Sequence, residues 1–191
     1  MPPKVKYSKD EISTIALNLI RQKGIEKLTA RELALSMETS VRPIFTAFEN
    51  MNELRNSCHA KAMDVYHSYF SRKDMNAINQ FLTTGKVYIS FAIEEANLFN
   101  FVFMDSQDTY PDFTLYMKSL DDCFDDTLKM IQKTYDLPEK KAFALYKHMR
   151  LYTNGIATLC AKKQCSFTPQ ETEENLNMAC SAFIHELQME Q

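Results

Sequence analysis

The densest cluster of reactive side chains in the chain is the run Asp121-Asp122-Cys123-Phe124-Asp125-Asp126. Carboxylates at i and i+4 share a helix face, and such a set can hold a hard cation such as magnesium through oxygen ligands. The same run also reads as a solvated acidic face, and no second acidic metal motif accompanies it. His59, His67, His148 and His185 are scattered, and none pairs at i, i+4 with another His or a Cys as a helical zinc site would need. Neither a Ser-His-Asp or Cys-His set nor a glycine-rich phosphate loop can be read from the spacing. A different chemistry is offered by Thr29 to Phe48, TARELALSMETSVRPIFTAF. There Arg42 can read a guanine edge bidentately or grip a phosphate, Val41 can meet a thymine methyl, and Thr39, Ser40 and Thr46 share their face. Thr29 and Arg31 stand at a helix start, whose free amides and partial positive charge suit a phosphate.

These side chains need two short helices with a tight turn between them. Thr29 is placed to cap the first, with Glu32 reaching back and Leu28 and Leu33 as a hydrophobic staple, so a helix starts at about Ala30. Its apolar set is Leu33, Ala34 and Met37. Glu38 and Thr39 then interrupt, and Ser40 offers a second N-cap for a helix carrying Ile44, Phe45 and Phe48, with Pro43 in its first turn where a missing N–H costs nothing. Helices this short bury too little to stand alone and must pack on a neighbour. The neighbour is the preceding amphipathic stretch, opened by a Ser8/Glu11 capping box and a Tyr7/Ile12 staple and closed at Gly24. A basic arm with Lys4 and Lys6 comes before it. Together these elements predict a helix-turn-helix head.

After the head, Asn50 and Glu53 cap a long helix through Leu54, Cys58, Ala62, Val65, Tyr66 and Tyr69 to about Arg72. Ile78 to Ala92 continues at helical spacing to near Glu95. Leu98 to Met104 is apolar on more than one face and therefore buried, and Ser106 to Pro111 is a loop. One further helix is expected from Phe113 through Phe124 to Tyr135. Another begins at Pro138, and a last one opens with the capping box of Thr168 and Glu171 and Pro169 at its first position. The last two carry apolar stripes long enough to serve both a core and a second copy of the chain, so a homodimer through a four-helix bundle is expected, with Leu145, Tyr152, Ile156, Leu176, Phe183 and Ile184 along its seam.

Composition agrees with this all-α reading. In 191 residues there are only three glycines and six prolines, 45% of residues are hydrophobic, and no strand-like alternation appears. The net charge of −3 is unevenly placed: residues 1–48 hold eight Lys/Arg against five Asp/Glu, so a weakly basic head sits on an acidic body. Five cysteines, an odd number with no C-x-x-C pair, read as reduced thiols. With no secretory signal and no apolar stretch approaching about 18 residues, a soluble, cytoplasmic protein with no membrane association is expected.

The segment TARELALSMETSVRPIFTAFENMNEL resembles the DNA-binding part of the tetracycline-repressor (TetR) family of bacterial transcription regulators. In that family the second helix of the pair enters the major groove, with an aromatic and then a Phe at the spacing of Phe45 and Phe48 and a Leu like Leu54. Three positions depart from the family pattern. Glu38 stands in place of the turn glycine, Phe45 in place of a phosphate-binding Tyr, and Met51 in place of a phosphate-binding Lys. The resemblance implies a DNA-binding domain over 1–49, contacting pseudo-palindromic double-stranded operator DNA through Thr29, Arg31, Thr39, Ser40, Val41, Arg42, Phe45 and Thr46. It also implies a ligand-binding and dimerisation domain over 50–191. There the many aromatic residues are core by default, and the resemblance adds a pocket for a small, mainly apolar effector. Its candidate walls are Phe81, Tyr88, Phe99, Phe103, Phe113, Tyr116, Met117, Phe124 and Tyr152.

A regulator, most simply a repressor, is thus the expected function, with no enzymatic activity and no cofactor. An interaction module that keeps the fold but has lost DNA binding is the alternative that Glu38, Phe45 and Met51 motivate. The more distant alternative is a magnesium-dependent helical enzyme, since Asp121 to Asp126 also resembles the D-D-x-x-D motif of helical isoprenoid synthases.

Overall fold

The computed structural model describes residues 7–71, 80–105, 109–120 and 123–189. Among them there are ten α-helices and no strand. They are α1 (Lys9–Lys23), α2 (Ala30–Ser36), α3 (Arg42–Ala47), α4 (Met51–Ser71), α5 (Gln80–Glu94), α6 (Ala96–Phe99), α7 (Phe113–Leu120), α8 (Phe124–Tyr135), α9 (Glu139–Ala161) and α10 (Pro169–Met189). A 3₁₀ turn, Ile25–Lys27, joins α1 to α2, and α6 runs on into a π-helical turn, Asn100–Met104. No single helix among the described residues is long and apolar enough to cross a membrane.

Local chemistry sets most helix starts. Ser8 accepts from the Glu11 amide while the Glu11 carboxylate accepts from the Ser8 amide, so both ends of the expected box are made. Asn50 Oδ1 accepts from the amides of Asn52 and Glu53 at 2.9 and 3.0 Å to open α4. Thr168 and Glu171 form the reciprocal pair at α10, at 2.8 and 3.2 Å. These arrangements hold three carboxyls below their ordinary value of 4.5: Glu11 through the Ser8 amide, Glu53 through the Lys9 ammonium, and Glu171 through the Thr168 amide. The folded state binds the proton less readily than the unfolded chain does. Their stabilisation is therefore complete above about pH 4.5 and is lost as pH falls through the lower folded values. Urea melts between pH 7 and 3 are expected to show a falling midpoint below that pH, and a smaller fall in a Glu11→Gln, Glu171→Gln variant.

The chain separates into two compact units, Met1–Ser71 with Glu94–Ser106, and Arg72–Ile93 with Gln107–Gln191. By contacts, α4 belongs to the first unit, whereas a boundary at 49/50 assigns it to the body. Leu54, Cys58 and Ala62 explain this, since all three are fully buried on the face that α4 turns to α1. At the crossing, Ser13 Oγ lies 2.8 Å from Ser57 Oγ, and the Cys58 thiol donates to the Ser13 carbonyl at 3.7 Å. Burial pushes that thiol up to about 12, which leaves it an inert packing group. The far end of α1 is tied to α6: Arg21 Nε donates to Glu95 Oε2 at 2.7 Å and Asn97 Nδ2 to the Arg21 carbonyl at 2.9 Å. Leu98, Phe99, Phe101, Val102 and Phe103 are buried as the all-round apolar pattern requires, while Met104 is exposed.

In the second unit α9 packs on both α8 and α10. On α5, Gly85 faces α9 and α10: a Cβ there would lie 3.3 Å from Leu176 and 3.5 Å from Thr153. Two expectations are corrected here. The helix foreseen from Phe113 to Tyr135 is two helices, α7 ending at Leu120 and α8 beginning at Phe124, with Asp125 and Asp126 in the first turn of α8, where free amides and the positive end of the helix favour carboxylates. And Leu145, Ile156 and Leu176 are not seam residues. All three are buried within one protomer, because they point along the inner faces of α9 and α10.

Candidate nucleic-acid interface

The α2–α3 pair is built around four buried side chains. Leu33 and Ile44 are fully buried, and Met37 and Phe48 nearly so, which fixes the inner faces of α2 and α3. Tyr7 donates its hydroxyl to the Met37 carbonyl at 2.8 Å, tying the start of the described chain to the end of α2. At the other end of the unit, Lys9 ties three helices together: its ammonium pairs with Glu53 at 2.6 Å and lies 5.3 Å above the Phe48 ring. Glu53 in turn accepts from the Glu49 amide at 2.7 Å. The junction from α3 into α4, where half-buried Met51 sits, is therefore held by packing and charge together.

The turn between α2 and α3 closes through backbone bonds. The Glu38 amide donates to the Leu35 carbonyl at 3.1 Å and the Thr39 amide to the Ala34 carbonyl at 3.0 Å, the paired bonds of a Schellman motif. Such a motif puts its C′ residue in the left-handed region, and Glu38 has φ +50°. Glycine adopts that conformation freely, whereas a residue with a Cβ pays on the order of 1–2 kcal/mol. Part of this is recovered in the unfolded chain, which a glycine loosens by about 0.5–1 kcal/mol. Glu38→Gly is accordingly expected to stabilise the chain by about 0.5–1 kcal/mol net. The measurement is an increase in the urea midpoint at unchanged slope.

Thr29 caps α2 as expected, accepting from the Glu32 amide at 3.1 Å, while the Glu32 carboxylate lies 3.7 Å from Lys23. Ser40 does not cap α3. The N-cap is Val41, in helical conformation and without a side-chain bond, and Pro43 falls in the first turn. The chain enters α3 already coiled, so its first amides are not met by a β-region side-chain oxygen. Phe45 does not belong to the inner set with Ile44 and Phe48, since it is 49% exposed.

Of the residues expected to face a nucleic acid, Thr29, Arg31, Ser40, Val41, Arg42, Phe45 and Thr46 are exposed, and Thr39 is half-buried. Val41 and Phe45 share the outer side of α3, and exposed Leu35 lies on α2. The Thr46 hydroxyl donates to the Arg42 carbonyl at 2.9 Å, which leaves its oxygen lone pairs facing outward. Lys4 and Lys6, the arm residues, lie outside the described residues.

The aromatic candidates for an effector pocket divide between the units. Phe99 and Phe103 belong to the first, where their rings pack 5.4 Å apart and Phe103 meets Tyr66 edge-on at 5.2 Å. Phe81, Tyr88, Phe113, Tyr116, Met117, Phe124 and Tyr152 belong to the second. There Tyr88 is buried with its hydroxyl donating to Asn154 Oδ1 at 2.9 Å and the Arg150 guanidinium 4.2 Å above its ring. Met117 is fully buried, Tyr116 packs against Tyr110, and Lys147 lies 5.9 Å above Phe113. Phe81 lines a cavity of about 40 Å³ shared with Gly85, Thr127, Tyr146, Thr153 and Leu176. Phe124 instead lines an open groove between α7, α8 and the start of α9. Sequence reasoning missed Gly85 and Thr153, and a glycine inside an apolar helical pattern was the signal for close approach there.

Of the acidic run, Asp121 and Asp122 lie outside the described residues. Asp125 pairs with Lys118 at 3.4 Å and Asp126 with Lys129 at 3.1 Å. Among the described residues no three His, Cys, Asp or Glu side chains converge as metal ligands would. His59 packs edge-on to Phe101 and His148 against Phe183, and His185 is exposed.

No family model matches this chain, and no curated protein sequence matches it.

Proposed function

We propose that this chain is a TetR-like, DNA-binding transcription regulator, acting as a repressor. The observation that carries the reading is the outer face of α3. Within a two-helix unit whose inner residues are buried, Arg42, Phe45 and Thr46 stand exposed on one short helix, with Ser40 and the N-cap Val41 exposed just before it. A helix presented in this way fits the major groove, with Arg42 for a base or phosphate and Thr29 and Arg31 for the backbone. Selection of bound sequences from random duplex DNA by the full chain tests it. A pseudo-palindromic consensus is expected, and no enrichment in low salt would overturn the reading.

A homodimer through α9 and α10 completes the proposal. On α9, Leu151 and Leu159 are 51% and 42% exposed, with half-buried Tyr152 and exposed Gly155 on the same face. A Cβ on Gly155 would meet nothing within 4 Å, so another helix can approach closely there. His148, on this face, lies against Phe183 of α10, and α10 exposes Met178, Ala182 and Met189 at spacings of four and seven. Two such helices per chain make a four-helix seam.

The effector is proposed as a small, mainly apolar molecule held in the second unit. A cavity of about 40 Å³ holds only a few waters, against the roughly 300–1,000 Å³ of ordinary ligand sites. Binding in that cavity would require its walls at Phe81 and Leu176 to part, and the ligand would act by favouring the opened, DNA-incompetent state.

Exposed Leu35, Val41 and Phe45 favour a second reading, in which the head binds a protein. An apolar outer face with Arg42 as its cation suits a protein groove as well as a major groove.

A further inference from the structure

The cavity between α5, α8, α9 and α10 has mostly apolar walls, yet a buried hydroxyl faces into it. Thr153 is 4% exposed, and among the described residues its side chain has no hydrogen-bond partner. Other helical hydroxyls of this chain settle that need locally: Ser13, Thr14, Ser36, Thr46 and Thr84 each donate to the carbonyl four residues back. Thr153 instead turns its side chain across to α5. A Cβ on Gly85 would lie 3.5 Å from Thr153 Oγ1 and 3.7 Å from its Cγ2, so the oxygen faces the space that the missing side chain leaves. A second hydroxyl, that of half-buried Thr127 on α8, lines the same cavity.

We infer that the ligand of this cavity is an uncharged molecule with an apolar body and one hydroxyl, and that Thr153 reads that hydroxyl. Its role as effector rests on the regulator proposed above, whereas its binding does not depend on α3. A buried hydroxyl left unbonded forfeits the hydrogen bonds it makes in the unfolded chain, and a ligand oxygen restores them. The space of about 40 Å³ has room for a few waters, which a ligand must displace. An apolar ligand would do so and leave Thr153 orphaned, while one with an oxygen reproduces the lost bond. A threonine hydroxyl both donates and accepts, so an alcohol or phenol O–H matches it in either sense. The apolar body would lie against Phe81, Tyr146, Met149 and Leu176. A carboxylate would bring its charge to a neutral oxygen in an apolar enclosure, and the cation on this wall, Arg150, already lies 4.2 Å over the Tyr88 ring.

The test is a thermodynamic cycle between the ligand oxygen and the threonine oxygen. Fluorine NMR titrations of the full chain compare para-fluorophenol with para-fluorotoluene, which carries a methyl in place of the hydroxyl, and Thr153→Val makes the matching change in the protein. The ratio of the toluene's dissociation constant to the phenol's is expected to fall about tenfold in Thr153→Val, the size of one hydrogen bond. Without ligand, the same variant should unfold at an unchanged or higher urea midpoint, because an unbonded oxygen is lost while the side-chain shape is kept. Gly85→Ala fills the space in front of the oxygen and should weaken both probes alike. An equal ratio in wild type and Thr153→Val would overturn the inference and leave a purely apolar effector, and binding of neither probe to the wild type would overturn the site itself. A lower midpoint for Thr153→Val, or para-fluorobenzoate binding more tightly than the phenol, would equally overturn it, the first by showing the hydroxyl already bonded and the second by assigning recognition to Arg150. An intact cycle beside no enrichment of operator DNA would remove the regulator reading alone.

Discussion

Replacing Leu151 and Leu159 together by Glu is expected to convert a dimer into a monomer, with a dissociation constant raised on the order of 100-fold or more. Both side chains are large, apolar and half exposed on one face of α9, so neither contributes much to the protomer's own core. Within a seam, each carboxylate would be moved out of water against apolar partners, at a cost of several kcal/mol, and about 1.4 kcal/mol is already a factor of ten. The protomer should tolerate the change, since surface substitutions away from core and caps usually stay within about 0.5 kcal/mol. Gly155→Ala sharpens the test. On an open helix surface it should stabilise the chain by about 1 kcal/mol through helix propensity alone. Where a partner helix crosses at Gly155, the added methyl should instead weaken association. Sedimentation at micromolar concentration reads both. A wild-type monomer, or a dimer untouched by the double Glu variant, removes α9 from the seam.

Those residues also mark where the sequence is legible. Capping residues placed the starts of α1, α4 and α10, because caps are local: Ser8/Glu11, Asn50/Glu53 and Thr168/Glu171 each satisfy amides within a few residues. Periodicity could not say which half of a wide apolar stripe faces inward. Leu145, Ile156 and Leu176 lie on the same helices as Leu151 and Met178, and only the packing of α5, α9 and α10 separates inner from outer. The missing glycine at 38 has the same lesson for turns. A Schellman closure forms with Glu38 at positive φ, and again with Lys163, because two backbone bonds and the buried residues around them outweigh the local strain. Apolar spacing carried the helix pattern across 113–135, but the end of α7 and the start of α8 depend on where Asp125 and Asp126 find a helix terminus. For the pocket, aromatic content carries no information on connectivity. Phe99 and Phe103 belong to the first unit because the chain returns there after α5.

On the proposed regulator reading, Phe45→Tyr and Met51→Lys, which return two positions to the pattern of the family the head resembles, are expected to tighten DNA binding and change its salt dependence in a defined way. Phe45 is half exposed on α3, so a para-hydroxyl in Phe45→Tyr enters solvent without disturbing Ile44 or Phe48, and it can donate to a phosphate. Met51 opens α4 beside the Lys9–Glu53 pair, where Met51→Lys adds a cation near the end of α3. Only the lysine adds charge, so it alone should steepen the log–log salt slope, by about −0.9 for one phosphate contact. The tyrosine should raise affinity at every salt concentration with the slope nearly unchanged. Arg42→Ala separates positioning from reading. If Arg42 grips a phosphate, binding should weaken uniformly across sequences and the slope should flatten by about 0.9. A bidentate contact to guanine should instead cost about 1–3 kcal/mol and relax the preference at one base position. Glu38→Gly adds an independent arm, because it removes a negative charge from the turn while relieving its backbone. Affinity should then increase by more than the stability gain explains, and most at low salt, where repulsion of phosphate reaches furthest. Four variants with the same weak, sequence-independent binding as the parent would remove DNA as the ligand of α3, and would leave the apolar face of Leu35, Val41 and Phe45 as a protein-binding surface.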